Sequence, residues 1–156
     1  MKSIDRVREF LEQHSVATRV QELSASTRTA QLAADAVGAP LGAIVKSLVL
    51  IAGAQTILAL VAGDQRADAA KIARRVGAAS ARMANGDEVR ARTGYAIGGV
   101  PPVAHDGNVE TLIDRTLLRF DKVWAAAGAP NALFEIETRA LIDLTRGRVE
   151  EIVAGD

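Results

Sequence analysis

Lys46 stands in GAIVKSLVLIAG, with Val45 before it and, after Ser47, an unbroken Leu-Val-Leu-Ile run. An ammonium in such a run has two uses. At a sheet edge it blocks unwanted strand pairing; in a cleft it holds an anionic or carbonyl oxygen. Lysine is almost never fully buried without a partner, so the pattern alone favours the edge. A second stretch, TGYAIGGVPPVAH (93–105), sets Gly94, Gly98, Gly99 and the adjacent Pro101 and Pro102 among small apolar residues and ends at His105. Gly98 and Gly99 can leave their backbone N–H groups uncovered, so that a ligand oxygen can approach the chain as in an oxyanion hole. Pro101 and Pro102 fix φ and remove two donors, which stiffens the wall behind. The same residue pairs also punctuate ordinary turns, and a purely structural loop is the competing reading.

Other residues carry weaker signals. GYAIGG has neither the dinucleotide-binding spacing nor the Lys-Ser pair of a phosphate-binding P-loop. His105 is a lone histidine with no Ser or Asp partner marked by local spacing. Asn131, after Gly-Ala-Pro, reads first as a turn former or cap. Asp114 and Arg115 read as a local ion pair or a cap, and Trp124 as core or as one wall of an apolar pocket. Lys71, Arg74, Arg75, Arg82, Arg90 and Arg92 gather in one region, either as a solvated face or as a rest for a phosphate backbone.

These residues must be held by elements that the pattern predicts. Ile4, Val7, Phe10 and Leu11 recur at helical spacing and give a first amphipathic helix ending near His14. VATRVQEL (16–23) reads as a short strand. STRTAQLAADAVG (26–38) reads as a helix, with Ser26 or Thr27 as its N-cap and Gly38 at its end. The aliphatic runs AIVKSLVLIAG and QTILALVAG meet at Gly53 and Ala54 and predict a buried hairpin. A third helix follows over 64–77, capped near Asp64. NGDEVRARTG opens with Asn85 and has Glu88 three residues on, a capping-box pattern, and closes at Gly94. VETLIDRTLL and KVWAAAG read as strands around a short turn of helix, ALFEIE as another strand, TRALIDLT as a last short helix and RVEEIV as a closing strand. No regular βαβ rhythm appears, so the fold class is α+β around a mixed sheet, in one compact domain over 1–156.

Composition narrows the function classes. The chain has 156 residues, 49% apolar and only 3% aromatic, which predicts an aliphatic core. Lys plus Arg equals Asp plus Glu at 19 each, so a protein that wraps nucleic acid is excluded; an end or a patch can still be held. There is no cysteine, hence no disulfide, cysteine zinc site or thiol nucleophile, and the two histidines are far apart. No apolar run approaches the roughly 20 residues that span a bilayer, and no signal-like segment opens the chain, so a cytoplasmic protein is expected.

VGAPLGAIVKSLVL, LALVAGDQRADAAKIARRVGA, TGYAIGGVPPVAH and AAAGAPNALFEIE, in that order, resemble the YbaK/ProX-like family, free-standing relatives of the prolyl-tRNA synthetase editing domain. The likeness runs from about the second helix to the closing strand. It implies a compact α+β domain with a mixed, partly barrel-like sheet flanked by helices. It implies an aminoacyl-tRNA deacylase that acts in trans on the ester of a mischarged tRNA, with tRNA(Pro) carrying a small amino acid as the expected substrate. Lys46 matches the family's signature lysine, which moves it from the edge reading to the site. Gly98, Gly99 and Pro102 match the family's Gly-Gly-x-x-Pro-type loop, with Pro101 an additional proline. Lys46, Gly98 and Gly99 are thus the expected catalytic residues, and Val100, Pro101, Pro102, His105 and Asn131 the expected substrate contacts. The expected partner is the tRNA acceptor end, with a prolyl-tRNA synthetase or an elongation factor holding the rest; no metal, cofactor, DNA or membrane is expected. One departure matters. Some members that act on cysteine carry a polar residue near 125–128, where this chain reads AAAG, so a small aliphatic or hydroxylated amino acid is favoured. A non-catalytic module that binds aminoacyl-tRNA or a synthetase through the same cleft is the rival reading.

Overall fold

The computed structural model describes residues 1–155. The aliphatic hairpin is its centre. Strands β2 (Val45–Ala52) and β3 (Gln55–Ala62) pair antiparallel from Val45–Ala62 to Ala52–Gln55, around the tight turn at Gly53 and Ala54. Successive side chains of a strand point to opposite faces. Val45, Val49, Leu58 and Leu60 therefore enter one core, and Leu50, Ile57, Ala59 and Val61 enter a second core on the other face. Burial on both faces explains why the two strands read as near-continuous apolar runs. Each fully buried Val, Leu or Ile contributes about 1.5–3 kcal/mol.

The remaining strands are β1 (Gln21–Glu22), β4 (Arg82–Met83), β5 (Glu110–Asp114), β6 (Lys122–Ala126), β7 (Ala132–Glu137) and β8 (Arg148–Glu150). They form two sheets, of order β1-β7-β6 and β4-β2-β3-β5-β8, with β5 parallel to both β3 and β8. An isolated bridge between Ile44 and Trp124 joins the sheets, which do not close into a barrel. The expected α+β class with a mixed sheet is what the chain forms.

Five helices flank the sheets among the described residues: α1 (Ser3–Gln13), α2 (Ala30–Val37), α3 (Ala69–Arg75), α4 (Gly86–Thr93) and α5 (Thr138–Thr145). The α4 capping box forms as expected, with the Glu88 N–H donating to Asn85 at 2.9 Å and the Asn85 N–H donating to Glu88 at 3.0 Å. The Arg82 guanidinium, together with that backbone N–H, holds the Glu88 carboxyl down at about 2. Gly38 and Gly94 end α2 and α4 in left-handed geometry.

Three expectations are corrected. The cap of α2 is Thr29, not Ser26 or Thr27, because the N–H and hydroxyl of Thr27 both donate to the Pro130 carbonyl. The cap of α3 is Asp68, not Asp64, because Asp64 is held by Arg119. Only Gln21–Glu22 of the 16–23 run forms strand.

Candidate active site

Beside β2 the sheet has a gap. β4 pairs only with Leu50 and Ile51, and the bridge to Trp124 is at Ile44, so residues 46–48 have no strand neighbour on that flank among the described residues. A cavity of about 280 Å³ lies there. Lys46, Ser47 and Leu48 line it from β2, Gly98 and Val100 from the glycine-proline loop, Thr27 and Arg28 from the approach to α2, and Ala126 and Leu133 from the second sheet. Residues 54 positions apart in sequence, Lys46 and Val100, thus share one space.

Lys46 is half-buried and its ammonium donates to the carbonyl of Gln65. Burial pushes its pKa below the ordinary lysine value; Asp64 opposes that shift and Arg66 adds to it. Ser47 is the one described residue whose buried side-chain oxygen has no hydrogen-bond partner. A buried hydroxyl left unmet costs about 1–3 kcal/mol, so Ser47 is an expensive residue unless a ligand meets it. Arg28 carries a guanidinium on an exposed side chain at the mouth.

The loop is fixed by its own chemistry. The Gly99 N–H donates to the Ala96 carbonyl at 3.0 Å and closes a turn whose third residue, Gly98, has φ +87°. That is the position where such turns need glycine. The expected pair of free glycine N–H groups is corrected accordingly, since Gly99's is committed to the turn. Those of Gly98 and Val100 have no acceptor among the described residues, and both residues line the cavity.

Pro101 and Pro102 are buried and do not line the cavity. His105, expected at the pocket edge, instead donates from Nε2 to the Pro101 carbonyl at 2.6 Å, its ring edge-on to Tyr95. Burial lowers its pKa, against the hydrogen bond to the Pro101 carbonyl, which favours the charged ring. The Tyr95 hydroxyl donates to the Ala104 carbonyl at 2.7 Å, and the Arg6 guanidinium lies 5.1 Å over the Tyr95 ring. Asn131 also lies off the cavity: its side-chain amide donates to the Leu23 carbonyl at 3.0 Å and fastens the 128–131 turn to the chain before α2.

The other candidates resolve as structure. Trp124 packs with Ile44 and Leu41 in a third apolar cluster and does not line the cavity. Asp114 is fully buried and accepts from the N–H groups of Thr116 and Ile152, a cap and a staple, while Arg115 pairs with Glu151 at 2.9 Å rather than with Asp114. Lys71, Arg75 and Arg82 of the basic group face Glu151, Glu150 and Glu88 at 3.7, 3.5 and 2.7 Å. Ser47 and Arg28 were not singled out from sequence. Ser47 had one available signal, a hydroxyl beside Lys46 inside an aliphatic strand; Arg28 had none.

The aminoacyl-tRNA editing domain family matches residues 24–144. A crystal structure described as a trans-editing enzyme for prolyl-tRNA synthetase, a provisional assignment, superposes with a TM-score of 0.92 at 45% identity, covering 99% of each chain. The uncharacterized protein YwhH of Bacillus subtilis (strain 168) is 35% identical over 94% of each chain. EbsC of Enterococcus faecalis, provisionally named a Cys-tRNA(Pro)/Cys-tRNA(Cys) deacylase, is 28% identical over 92% of this chain and 89% of its own. The chain belongs to the aminoacyl-tRNA editing domain family.

Proposed function

We propose, from that membership, that the protein is a trans-editing deacylase that hydrolyses the ester between a small amino acid and the 3′-terminal adenosine of tRNA, with mischarged tRNA(Pro) as the substrate. The observation that carries the reading is the single cavity in which Lys46, Gly98 and Val100 meet. Its volume accommodates an aminoacyl group and the ribose edge, with the base and the rest of the acceptor strand outside.

In this mechanism the Lys46 ammonium and the Arg28 guanidinium hold the phosphate and ribose of the terminal nucleotide. Water attacks the ester carbonyl, and charge builds on its oxygen. The N–H groups of Gly98 and Val100 meet that oxygen; each such donor is worth about 3–4 kcal/mol of barrier. The C–O bond to the ribose then breaks, the ribose oxygen takes a proton, and the amino acid leaves as its carboxylate. His105 is bonded to Pro101 and lies off the cavity, so the vicinal ribose hydroxyl is assigned the task of orienting the water. An aminoacyl ester is reactive enough for positioning and charge stabilisation to suffice. Ser47 meets the amino group or side chain of the amino acid, which gives its unmet hydroxyl a partner. Ala126 and Leu133 present small apolar walls, which supports a small aliphatic or hydroxylated amino acid over cysteine.

Single-turnover deacylation of tRNA(Pro) charged separately with Ala, Cys, Ser and Pro tests the proposal. Hydrolysis of one mischarged species is expected, slowed by about 10²-fold or more in Lys46→Ala. Binding of every charged tRNA with no hydrolysis would replace the deacylase with the binding module.

A further inference from the structure

Asp64 and Arg119 form a two-pronged ion pair: the two guanidinium nitrogens of Arg119 donate to the two carboxylate oxygens of Asp64 at 3.0 and 2.7 Å. The Arg119 Nε donates to the Thr116 carbonyl at 2.6 Å, and the guanidinium lies 5.1 Å over the Phe120 ring. The pair is 35% and 42% exposed, and the chain is fitted closely around it. A Cβ on Gly42 would stand 3.0 Å from the Arg119 guanidinium, from the Asp64 carboxylate and from the Phe120 ring at once. A Cβ on Gly63 would run into the Leu41 carbonyl oxygen. Two bare glycines make the space in which the pair and its turn sit.

The turn leads directly to the site. The Gln65 N–H donates to the Ala62 carbonyl at 2.9 Å, so residues 62–65 form a closed turn with Asp64 inside it. The Gln65 carbonyl is the group that accepts from the Lys46 ammonium. Arg119 ends the short 3-10 turn Arg115–Arg119 between β5 and β6, 55 residues further along the chain than Asp64. Its grip fixes the side chain adjacent to that carbonyl.

We propose that Asp64 and Arg119 are positioning residues for Lys46: the pair locks the turn at 62–65 so that the Gln65 carbonyl holds the ammonium at the edge of the cavity. The proposal rests on Lys46 being the site lysine of the deacylase. The charged groups near Lys46 are Asp64 of this turn and Arg66 just after it, with Arg28 on the lining of the cavity and Arg119 on Asp64. Removing the Asp64 charge leaves burial and Arg66 to act on the ammonium unopposed, so Lys46 releases its proton at lower pH.

The test follows two readouts in wild type, Asp64→Asn, Arg119→Lys and Arg119→Leu. One is the titration of the Lys46 amine, read by pH-dependent acylation and mass spectrometry, which needs no substrate. The other is the pH profile of kcat/KM for deacylation. Asp64→Asn is expected to move the Lys46 midpoint and the alkaline limb of activity to lower pH, with kcat/KM down about 10- to 100-fold at neutral pH. Arg119→Leu is expected to lose activity similarly and Arg119→Lys to regain part of it. An unchanged Lys46 midpoint in Asp64→Asn, or Arg119 variants that lower Tm without changing kcat/KM, would overturn the proposal. Full activity in Lys46→Ala would instead sink the deacylase role of Lys46, while the titration would still decide the positioning claim.

Discussion

Gly99 rests on the backbone of Ala129. The Cβ it lacks would stand 2.8 Å from the Ala129 Cα, and the Gly99 carbonyl accepts the Gly128 N–H at 2.9 Å. The glycine-proline loop is thereby docked on the turn that leads into β7, and the Gly98 and Val100 N–H groups, the proposed oxyanion donors, inherit their position from that contact.

Gly99→Ala has nowhere to put its methyl group, since the obstacle is main chain. It is expected to lose about 1–3 kcal/mol of stability, read as a lower denaturant midpoint. Gly98→Ala differs. Its neighbour is the flexible Arg28 side chain, 2.7 Å from the added Cβ, and the strain comes from φ +87°. It is expected to cost about 1–2 kcal/mol in stability and a larger share of kcat. Equal stability of Gly99→Ala and wild type would refute the docking.

His105 gives the loop a pH dependence. Its folded pKa is lowered by burial from 6.5, so the folded state favours the neutral ring. The stability it supplies is complete above about pH 6.5 and is lost as pH falls from there through the folded value. Urea midpoints at pH 7.5 and pH 5 should differ more for wild type than for His105→Gln. An identical difference in the two proteins would remove His105 from this role.

Ser47→Ala separates stability from activity. Deleting a buried hydroxyl that has no partner is expected to leave the unfolding midpoint equal or raise it by up to about 1 kcal/mol. Deacylation should slow in the same variant, because the proposed mechanism gives the hydroxyl to the substrate. A variant that is less stable but equally active would show that Ser47 serves the fold alone.

Much of the fold was legible where the deciding partners are close in sequence. The β2–β3 hairpin, the Asn85–Glu88 capping box and the left-handed glycines at 38 and 94 each depend on residues within one or two turns of chain. Two of the expectations that failed did so through distant partners. Thr27 looks like a cap and is taken by Pro130, 103 residues away; Asp64 looks like a cap and is taken by Arg119, 55 residues away. In both cases the helix starts at the next capping side chain, Thr29 or Asp68.

The site divides in the same way. Residue type drew attention to Lys46 and to the Gly98–Gly99 loop, but the pattern alone favoured a sheet-edge lysine, and it was the family resemblance that assigned Lys46, Gly98 and Val100 to a site. Whether each side chain faces the cavity depends on which backbone groups neighbouring segments have already taken. Tertiary packing turned Asn131 into a fastener and left Ser47 without a partner among the described residues beside the gap in the sheet, while local contacts took up the His105 ring and the Gly99 N–H. Hydrogen-bonding capacity belongs to the residue and is written in the sequence; its vacancy belongs to the neighbours, and only the folded chain decides that.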